Sequence, residues 1–183
     1  MATEEQLIAL AKEGSVPAFS ELVEKYQGRL IRFLLGRCSN RADAEDAIQD
    51  TFINAYRYIG SYNPRWRFST WLFRIALRNA AKISQVAEAA ADDIPDIAGD
   101  PLEACIVASE RENLWLTAKR LLSADAYSAM WLRYVEDMSV RDVARTLEKP
   151  MSWTKVTLMR SRRRLSAELA GGHEATANGE AYG

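Results

Sequence analysis

Apolar side chains recur at helical spacing along almost all of this 183-residue chain, and no other feature limits its fold as much. Segment 17–34 shows the pattern most clearly, with apolar residues three or four positions apart: Phe19, Leu22, Val23, Tyr26, Leu30, Phe33 and Leu34. The period-two alternation that is typical of strands is almost absent, and the chain contains only 9 glycines and 5 prolines. The sequence therefore predicts an all-α fold.

Four helices are predicted in the first half of the chain. Thr3 and Gln6 have the spacing of a capping box, so a first helix begins there and ends at Gly14. Pro17 suits the first turn of the second helix, which carries the apolar face described above. A third helix is expected at 42–58, with a face of small and apolar residues: Ala44, Ala47, Ile48, Thr51, Phe52, Ala55 and Ile59.

The fourth helix follows a predicted loop at 60–67, and we expect Ser69 or Thr70 to cap it. It should reach about residue 83 and bury one face, formed by Leu72, Ile75, Ala76 and Ile83. Aromatic residues at helical spacing usually lie in a core, so Phe68 and Phe73 are expected to be buried or partly buried. The pattern leaves Trp71 between a core role and a surface role.

The second half has the spacing of a helix-turn-helix. Helices are expected near 109–121 and 124–135, and Ser139 should cap a short helix with an apolar face, namely Val140, Val143, Ala144 and Leu147. After a break at 148–151, a longer basic helix should run to about residue 169 with Leu158, Leu165 and Leu169 buried. A short helix, a tight turn and a longer helix form the motif that places its second helix in the major groove of DNA.

The charges are segregated, although they sum to −1. Residues 1–84 carry 12 Lys or Arg and 9 Asp or Glu, residues 85–118 carry 1 and 8, and residues 119–183 carry 11 and 8. Segment 85–108 has no base and contains Pro95, Pro101 and Gly99, so it predicts an acidic flexible linker. It would join two small helical domains, 1–84 and 109–170, and the Gly- and Ala-rich segment 171–183 predicts a disordered tail.

Segment 61–82 combines five cations with five aromatic residues and contains no acid. On the fourth helix, one stripe at spacings of three and four is suited to the phosphate backbone of a nucleic acid: Trp71, Arg74, Arg78 and Lys82. The preceding loop adds Tyr62, Asn63, Arg65 and Trp66. The last helix adds six cations and no acid between 149 and 164, which favours DNA over a merely solvated helix surface.

Several classes of protein are not indicated. The chain has no apolar run long enough to span a membrane and no signal peptide at its start, so we expect a cytoplasmic protein. One histidine, His173, and two distant cysteines, Cys38 and Cys105, predict neither a metal site nor a disulfide. Phosphate-binding glycine loops and nucleophile–histidine pairs are also missing, so no cofactor and no enzymatic activity are expected.

Three motifs occur together in one order: residues 43–56 (DAEDAIQDTFINAY), residues 68–76 (FSTWLFRIA) and the C-terminal helix-turn-helix. In this combination the chain resembles the bacterial RNA polymerase sigma factors of the extracytoplasmic-function (ECF) class. The resemblance covers about residues 5–84, the family's region 2, and 109–169, its region 4. It implies a promoter-specificity subunit that binds core RNA polymerase, through the β′ clamp helices and the β flap, and that recognises promoter DNA. The class also implies an anti-sigma factor as a partner.

The resemblance implies three sets of site residues. Core polymerase would contact the non-core stripe of the third helix, formed by Asp46, Gln49, Asp50, Ile53 and Arg57. The −10 element would be recognised and melted by Tyr62, Asn63, Arg65, Trp66, Arg67, Trp71, Arg74, Arg78, Asn79 and Lys82. The −35 element would be read by Ser152, Trp153, Thr154, Lys155, Thr157, Arg160, Arg163 and Arg164.

The chain departs from the family pattern at a few positions. Arg78 and Lys82 stand where the family often has Asn and Asp, and Asn79 is shifted by one position. Pro150 stands where a capping Ser is common, so Ser152 is expected to cap the last helix instead. The acidic linker either mimics nucleic acid inside polymerase channels or is a simple spacer.

Two other functions are compatible with the helical pattern. The first is a conventional regulator whose helix-turn-helix binds an operator without being a polymerase subunit. The second is a helical adaptor or scaffold with no DNA role. A regulator of the first kind binds duplex DNA in the absence of polymerase, so transcription with core enzyme distinguishes these functions from that of a sigma factor.

Overall fold

The computed structural model describes residues 2–91 and 110–177, and it confirms the all-α class. Within these residues the backbone forms eight α-helices and one 3₁₀ turn, and it forms no strand. The chain divides into two compact units, Met1–Ile106 and Val107–Gly183. Most of the predicted acidic linker, 92–108, lies outside the described residues.

The first unit is built from helices α1 to α4, with a 3₁₀ turn before the last: α1 (Glu4–Lys12), α2 (Val16–Arg37), α3 (Arg41–Tyr58), the turn Ile59–Ser61 and α4 (Phe68–Ala91). The predicted capping box is confirmed, because Thr3 and Gln6 exchange hydrogen bonds between side chain and backbone. Gly14 closes the α1–α2 connection with a φ of 94°, in the left-handed region that favours glycine. Pro17 lies in the first turn of α2, as predicted.

The core of the first unit lies where α2 and α3 pack against α4. Leu30, Phe33 and Leu34 of α2 are completely buried, and the ring of Phe33 lies 5.3 Å from that of Phe73. Each buried side chain of this size contributes about 1.5–3 kcal/mol through burial of apolar surface. Most of the predicted core faces are confirmed. A few of their members are only half-buried, namely Val23, Ile48, Phe52, Ile75 and Ile83.

Helix α4 differs from its prediction at both ends. It begins at Phe68, and the Trp71 N–H donates to the carbonyl of Arg67, so neither Ser69 nor Thr70 is the cap; both are buried inside the helix. It also continues to Ala91 rather than ending near residue 83. Residues 85–91 were predicted as linker, yet they include four alanines and a glutamate, which propagate a helix well.

The second unit contains four helices: α5 (Glu110–Leu121), α6 (Ala124–Tyr134), α7 (Val140–Thr146) and α8 (Met151–Ala177). Helices α6 and α7 pack against α8, and α5 contacts both α6 and α8. An aromatic cluster joins α5 to α6, with the rings of Trp115 and Trp131 only 4.7 Å apart and Tyr127 stacked on Trp131. Ser139 caps α7 by accepting a hydrogen bond from the N–H of Asp142, as predicted.

The turn between α7 and α8 has the geometry of a Schellman motif. The Lys149 N–H donates to the Ala144 carbonyl at 2.9 Å, and the Glu148 N–H donates to the Arg145 carbonyl at 3.2 Å. Glu148 has a φ of 55°, in the region where glycine is usual. The motif ends the short helix α7 at Thr146, and α8 begins at Met151.

Helix α8 corrects three predictions. It begins at Met151, and the Thr154 N–H donates to the Pro150 carbonyl, so Ser152 lies in the first turn and is not the cap. Leu158 and Leu165 are buried as predicted, but Leu169 is 43% exposed. The helix continues to Ala177, so residues 171–177 of the predicted tail are helical, while 178–183 lie outside the described residues.

Candidate functional site

Helix α3 exposes a polar stripe opposite the face that it buries. Ala44, Ala47, Thr51 and Ala55 face the core. The five residues predicted to bind polymerase are all exposed: Asp46, Gln49, Asp50, Ile53 and Arg57. Ile53 is 53% exposed and lies among charged neighbours. An exposed apolar side chain surrounded by charges is an arrangement that protein–protein interfaces use, with an apolar centre and a polar rim.

Tyr62 was predicted to contact promoter DNA, but its ring lies inside the first unit and is only 7% exposed. It packs edge-on against Phe68 with ring centres 5.3 Å apart, and it lies 5.5 Å from the ring of Trp71. Its hydroxyl donates to the Trp66 carbonyl oxygen at 2.5 Å. Burial, together with the charges of Glu4 and Glu5, raises the pKa of the Tyr62 phenol. Neither face of the Tyr62 ring is therefore free to stack on a base. Instead, the ring and hydroxyl of Tyr62 fix the conformation of the loop 62–67.

The remainder of the loop points outward. Asn63, Arg65, Trp66 and Arg67 are exposed, and Trp66 shows 39% of its surface. The Asn63 side-chain oxygen accepts from the Arg65 N–H at 3.0 Å, and the Trp66 N–H donates to the Asn63 carbonyl at 3.2 Å. These bonds form a compact turn that presents one aromatic ring and two guanidinium groups to the solvent, which suits stacking on unpaired bases beside phosphates.

Asn79 is the second predicted DNA contact that the structure corrects, because it is 8% exposed and lies between α3 and α4. Its side-chain nitrogen donates to the Thr51 hydroxyl at 3.3 Å, and its oxygen accepts from the Asn54 side chain at 3.2 Å. The Thr51 hydroxyl in turn donates to the Ala47 carbonyl at 2.6 Å. Asn79 thus connects the two helices, and its amide is bound within the protein.

The predicted cationic stripe of α4 is exposed at its C-terminal end. Arg78 and Lys82 are exposed, whereas Trp71 and Arg74 are half-buried. The Trp71 ring packs against Phe68, with centres 5.4 Å apart, as well as against Tyr62. Trp71 therefore combines the two roles that the sequence left open, since part of its surface packs in the core and part reaches the solvent.

Helix α8 begins with one buried and several exposed members of the predicted −35 set. Thr154 is completely buried, and its hydroxyl donates to the Pro150 carbonyl at 3.1 Å, so it cannot read bases. Trp153 is half-buried under the Lys149 ammonium, which lies 5.4 Å from the ring centre. Lys149 also pairs with Asp125 of α6 at 3.0 Å. The other members are exposed or half-buried: Ser152, Lys155, Thr157, Arg160, Arg163 and Arg164.

An open groove of about 650 Å³ in the second unit runs along one side of α8. Its walls combine the cations Lys155, Arg162 and Arg163 with Arg133 and Tyr134 from the end of α6. At about 100° per residue, Arg160 and Arg164 lie on another side of the same helix. Cations thus lie all round the exposed side of α8 between Lys155 and Arg164, which suits a helix segment lying between two phosphate strands.

The sequence prediction did not include two residues that the structure places beside the candidate surfaces. Arg162 was counted among the cations but was not assigned to DNA, although the groove includes it. Lys12 of α1 gave no local signal, because its partner is the Tyr62 carbonyl, 50 residues away in the chain, at 2.7 Å. The described residues contain no cluster of three or more His, Cys, Asp or Glu that could hold a metal ion. None of the described helices is long and apolar enough to cross a membrane.

Comparison with known proteins shows which proteins this chain is similar to. Residues 22–82 match Sigma-70 region 2. The chain is 29% identical to the ECF RNA polymerase sigma-E factor of Haemophilus influenzae, over 91% of this chain and 95% of that protein. It is also 29% identical to the RNA polymerase sigma-H factor of Pseudomonas aeruginosa, over 91% and 93% of the two chains.

Two solved structures share the fold. The sigma factor RpoE from Bartonella quintana, in complex with the anti-sigma factor NepR, is 24% identical with a TM-score of 0.68; the match covers 85% of this chain and 98% of RpoE. CnrH, in complex with the cytosolic domain of CnrY, is 24% identical with a TM-score of 0.67, and the match covers 90% and 96% of the two chains.

Proposed function

We propose that this chain is an RNA polymerase sigma factor of the extracytoplasmic-function class, and that it acts in transcription initiation through three surfaces. The exposed stripe of α3 binds core polymerase, the loop 62–67 with α4 opens the −10 element, and α8 reads the −35 element. The observation that carries this proposal is that the polar stripe, the exposed loop and the cationic helix all lie outside the cores of their units.

The polymerase surface is the stripe of α3 that ends at Arg57. Asp46 and Asp50 lie one helical turn apart, with Gln49 beside them and Ile53 three residues beyond Asp50. The two carboxylates provide charge recognition, and Ile53 supplies an apolar anchor. We assign the β′ clamp helices of core polymerase as the partner of this stripe, and the β flap as a partner of the second unit.

The −10 surface is divided between stacking and phosphate contact. Trp66 offers an exposed ring in a turn whose backbone is fixed by hydrogen bonds, and such a ring stabilises an unstacked base by about 1–3 kcal/mol. Arg78 and Lys82 lie one turn apart on α4, where they can follow the phosphates of the same strand. Tyr62 and Asn79 support this surface from behind without touching DNA.

The −35 surface is the first half of α8. Ser152, Trp153 and Lys155 lie in its first two turns, where a recognition helix contacts base edges. The arginines further along the helix hold the phosphates on both sides of the groove. Lys149, between its carboxylate partner and the ring of Trp153, fixes the start of the helix.

Three further assignments complete the proposal. The protein has no catalytic centre of its own, because polymerase performs nucleotidyl transfer. It works in the cytoplasm, where its template and polymerase are found. An anti-sigma factor controls it, as the class implies; the similar sigma factor RpoE forms such a complex with the anti-sigma factor NepR.

The decisive experiment for the polymerase surface is a charge reversal with a matched control. Asp46→Lys with Asp50→Lys should weaken binding to core polymerase by at least about tenfold, because like charges then face the partner. Glu21→Lys with Glu24→Lys makes the same charge change at two exposed positions of α2 and should leave binding unchanged. Binding is measured by co-elution and fluorescence anisotropy with purified core. Equal affinities for the two double variants would refute the assignment of this stripe.

A conventional regulator would behave differently. Such a protein would bind a specific duplex site without polymerase and would direct no initiation from it. A sigma factor gives promoter-specific transcripts only when the chain and core polymerase are both present.

A further inference from the structure

Helix α1 lies outside the residues that match Sigma-70 region 2, yet one of its side chains reaches the loop 62–67. The Lys12 ammonium donates to the Tyr62 carbonyl oxygen at 2.7 Å and lies 5.3 Å from the centre of the Tyr62 ring. We propose that Lys12 is a positioning residue for promoter opening: from α1 it fixes the loop that receives unpaired bases, without contacting DNA itself. The inference rests on the −10 role proposed above for this loop.

Tyr62 is the residue through which Lys12 controls the loop. Its N–H donates to the Ile59 carbonyl at 3.0 Å and so closes the 3₁₀ turn. Its hydroxyl donates to the carbonyl of Trp66, four residues later, and its ring is buried against Phe68. The carbonyl that Lys12 holds therefore belongs to the residue that fixes both ends of the loop.

A cation is well suited to this contact. A charge-assisted hydrogen bond is about twice as strong as a neutral one, and an ammonium beside an aromatic ring gains further attraction. Lys12 uses one group for both contacts, because the ring and the carbonyl belong to the same residue.

Helix α1 is itself anchored, so the position of Lys12 is defined. The Glu4 carboxylate accepts from the hydroxyl of Tyr26, which is buried in α2, at 2.9 Å. Helix α1 also packs against both α2 and the 3₁₀ turn Ile59–Ser61. Direct contacts thus connect the core of α2 to α1, and α1 to the loop.

The effect of Lys12 on promoter opening depends on whether the loop already has its fixed conformation before it binds DNA. Asn63, Arg65 and Trp66 are exposed, and they can receive bases only if the backbone turn is already formed. A loop that must be ordered during strand separation adds its conformational cost to that step. Loss of the Lys12 contact should therefore slow promoter opening more than it weakens any other interaction of the protein.

The test uses two substitutions of Lys12 and a matched control. Lys12→Met keeps the length of the side chain and removes the donor and the charge, whereas Lys12→Arg keeps both. Lys25→Met is the control. Lys25 lies 5.8 Å from the centre of the Tyr26 ring in α2 and forms an exposed ion pair with Glu4, and an exposed pair of this kind contributes little to stability. In Lys25→Met, Glu4 keeps the hydrogen bond from Tyr26 that anchors α1, and Lys12 keeps its contact with the loop.

Two measurements are made on each variant. The first is amide hydrogen exchange of residues 62–67 in the free full-length chain, which reports the order of the loop without polymerase or DNA. The second is the rate of promoter opening by the reconstituted holoenzyme, followed by permanganate reactivity of unpaired thymines on a promoter selected from a random library. Affinity for core polymerase serves as the reference.

Lys12→Met is expected to raise amide exchange in the loop and to slow opening, each by about tenfold, the effect of losing one hydrogen bond to a charged group. Core affinity should change less than about twofold, and Lys12→Arg should restore both values to within about threefold. Lys25→Met should behave like the unmodified protein in both measurements.

Three results would overturn the inference. If loop exchange and promoter opening were both unchanged in Lys12→Met, Lys12 would not order the loop. Slower opening with unchanged exchange would indicate direct contact between Lys12 and DNA. Faster exchange with unchanged opening would show that loop order does not limit the reaction. If the unmodified holoenzyme opens no promoter, the proposed function fails, while the exchange measurement still decides whether Lys12 fixes the loop.

Discussion

The substitution Asn79→Ala tests whether Asn79 stabilises the packing of α3 against α4 or contacts DNA. The amide of Asn79 donates to the Thr51 hydroxyl at 3.3 Å and accepts from the Asn54 side chain at 3.2 Å, and the residue is nearly fully buried. Alanine removes both bonds and leaves a small void between α3 and α4. The neighbouring Arg78 is exposed on the same helix, so the pair Asn79→Ala and Arg78→Ala compares a buried position with a surface position.

The magnitude follows from the two lost hydrogen bonds. Each neutral hydrogen bond contributes about 0.5–1.5 kcal/mol, so the substitution should lower the free energy of unfolding by about 1–3 kcal/mol. In a unit of this size, each kcal/mol lowers the Tm by about 4–8 °C. The Tm of Asn79→Ala should therefore fall by roughly 4–24 °C. Arg78→Ala removes a surface side chain and should change the free energy of unfolding by less than about 1 kcal/mol.

The assay combines urea unfolding, followed by circular dichroism, with promoter opening at a temperature where each variant is folded. Asn79→Ala should unfold at lower urea and open promoters at a near-normal rate. Arg78→Ala should show the reverse, with near-normal stability and weaker salt-dependent promoter binding. If Asn79→Ala kept its stability and lost promoter opening, Asn79 would face DNA and its structural role would be wrong.

Two further predictions address the second unit. Arg160→Gln with Arg163→Gln should reduce the slope of log affinity against log salt by about 2 for −35 duplex binding by the holoenzyme, because two phosphate contacts are lost; an unaltered slope would place these side chains away from DNA. Burial raises the pKa of the Tyr127 phenol in the folded chain above its ordinary value near 10. The unfolded chain therefore ionises this phenol first, so the stability that the buried neutral phenol contributes is complete below about pH 10 and is lost as the pH rises above it. Tyr127→Phe should therefore lose less free energy of unfolding between about pH 9 and pH 11 than the unmodified chain does, measured by urea titrations with tryptophan fluorescence; identical losses would show that Tyr127 does not titrate in this way.

The periodicity of apolar residues predicted the core because it depends on local spacing alone. Leu30, Phe33 and Leu34 follow a helical face, and all three are completely buried. Caps were equally accessible to prediction where the signal lay within three residues, as at Thr3 and Ser139. Both successes rest on interactions between residues that are neighbours along one helix.

Polar residues inside motifs were harder to assign. Tyr62, Asn79 and Thr154 are buried, although each lies directly beside an exposed residue in the sequence, and each was predicted to bind DNA. Each instead satisfies its polar atoms inside the protein, through a loop carbonyl, a second helix or the preceding turn. A tyrosine, an asparagine or a threonine suits both roles chemically, so the packing of distant elements decides between them.

The start of α4 was predicted wrongly because a local capping signal competed with the burial of an aromatic side chain. Ser69 and Thr70 are good capping residues, but the helix starts one residue earlier, at Phe68, whose ring packs on Tyr26 with centres 5.5 Å apart. The buried aromatic ring fixes the start of α4 more firmly than a capping hydroxyl does, because it contributes more to burial. Leu169 fits the periodic stripe of α8 but remains exposed.

The most direct test of the sigma-factor function is transcription by purified core polymerase on a pool of promoter-containing DNA, with and without this chain. We expect discrete transcripts that start at defined positions only when the chain is present. These transcripts should disappear with Asp46→Lys and Asp50→Lys but persist with Glu21→Lys and Glu24→Lys. The absence of chain-dependent transcripts, together with a failure of the chain to co-elute with core, would contradict a role in promoter-specific initiation.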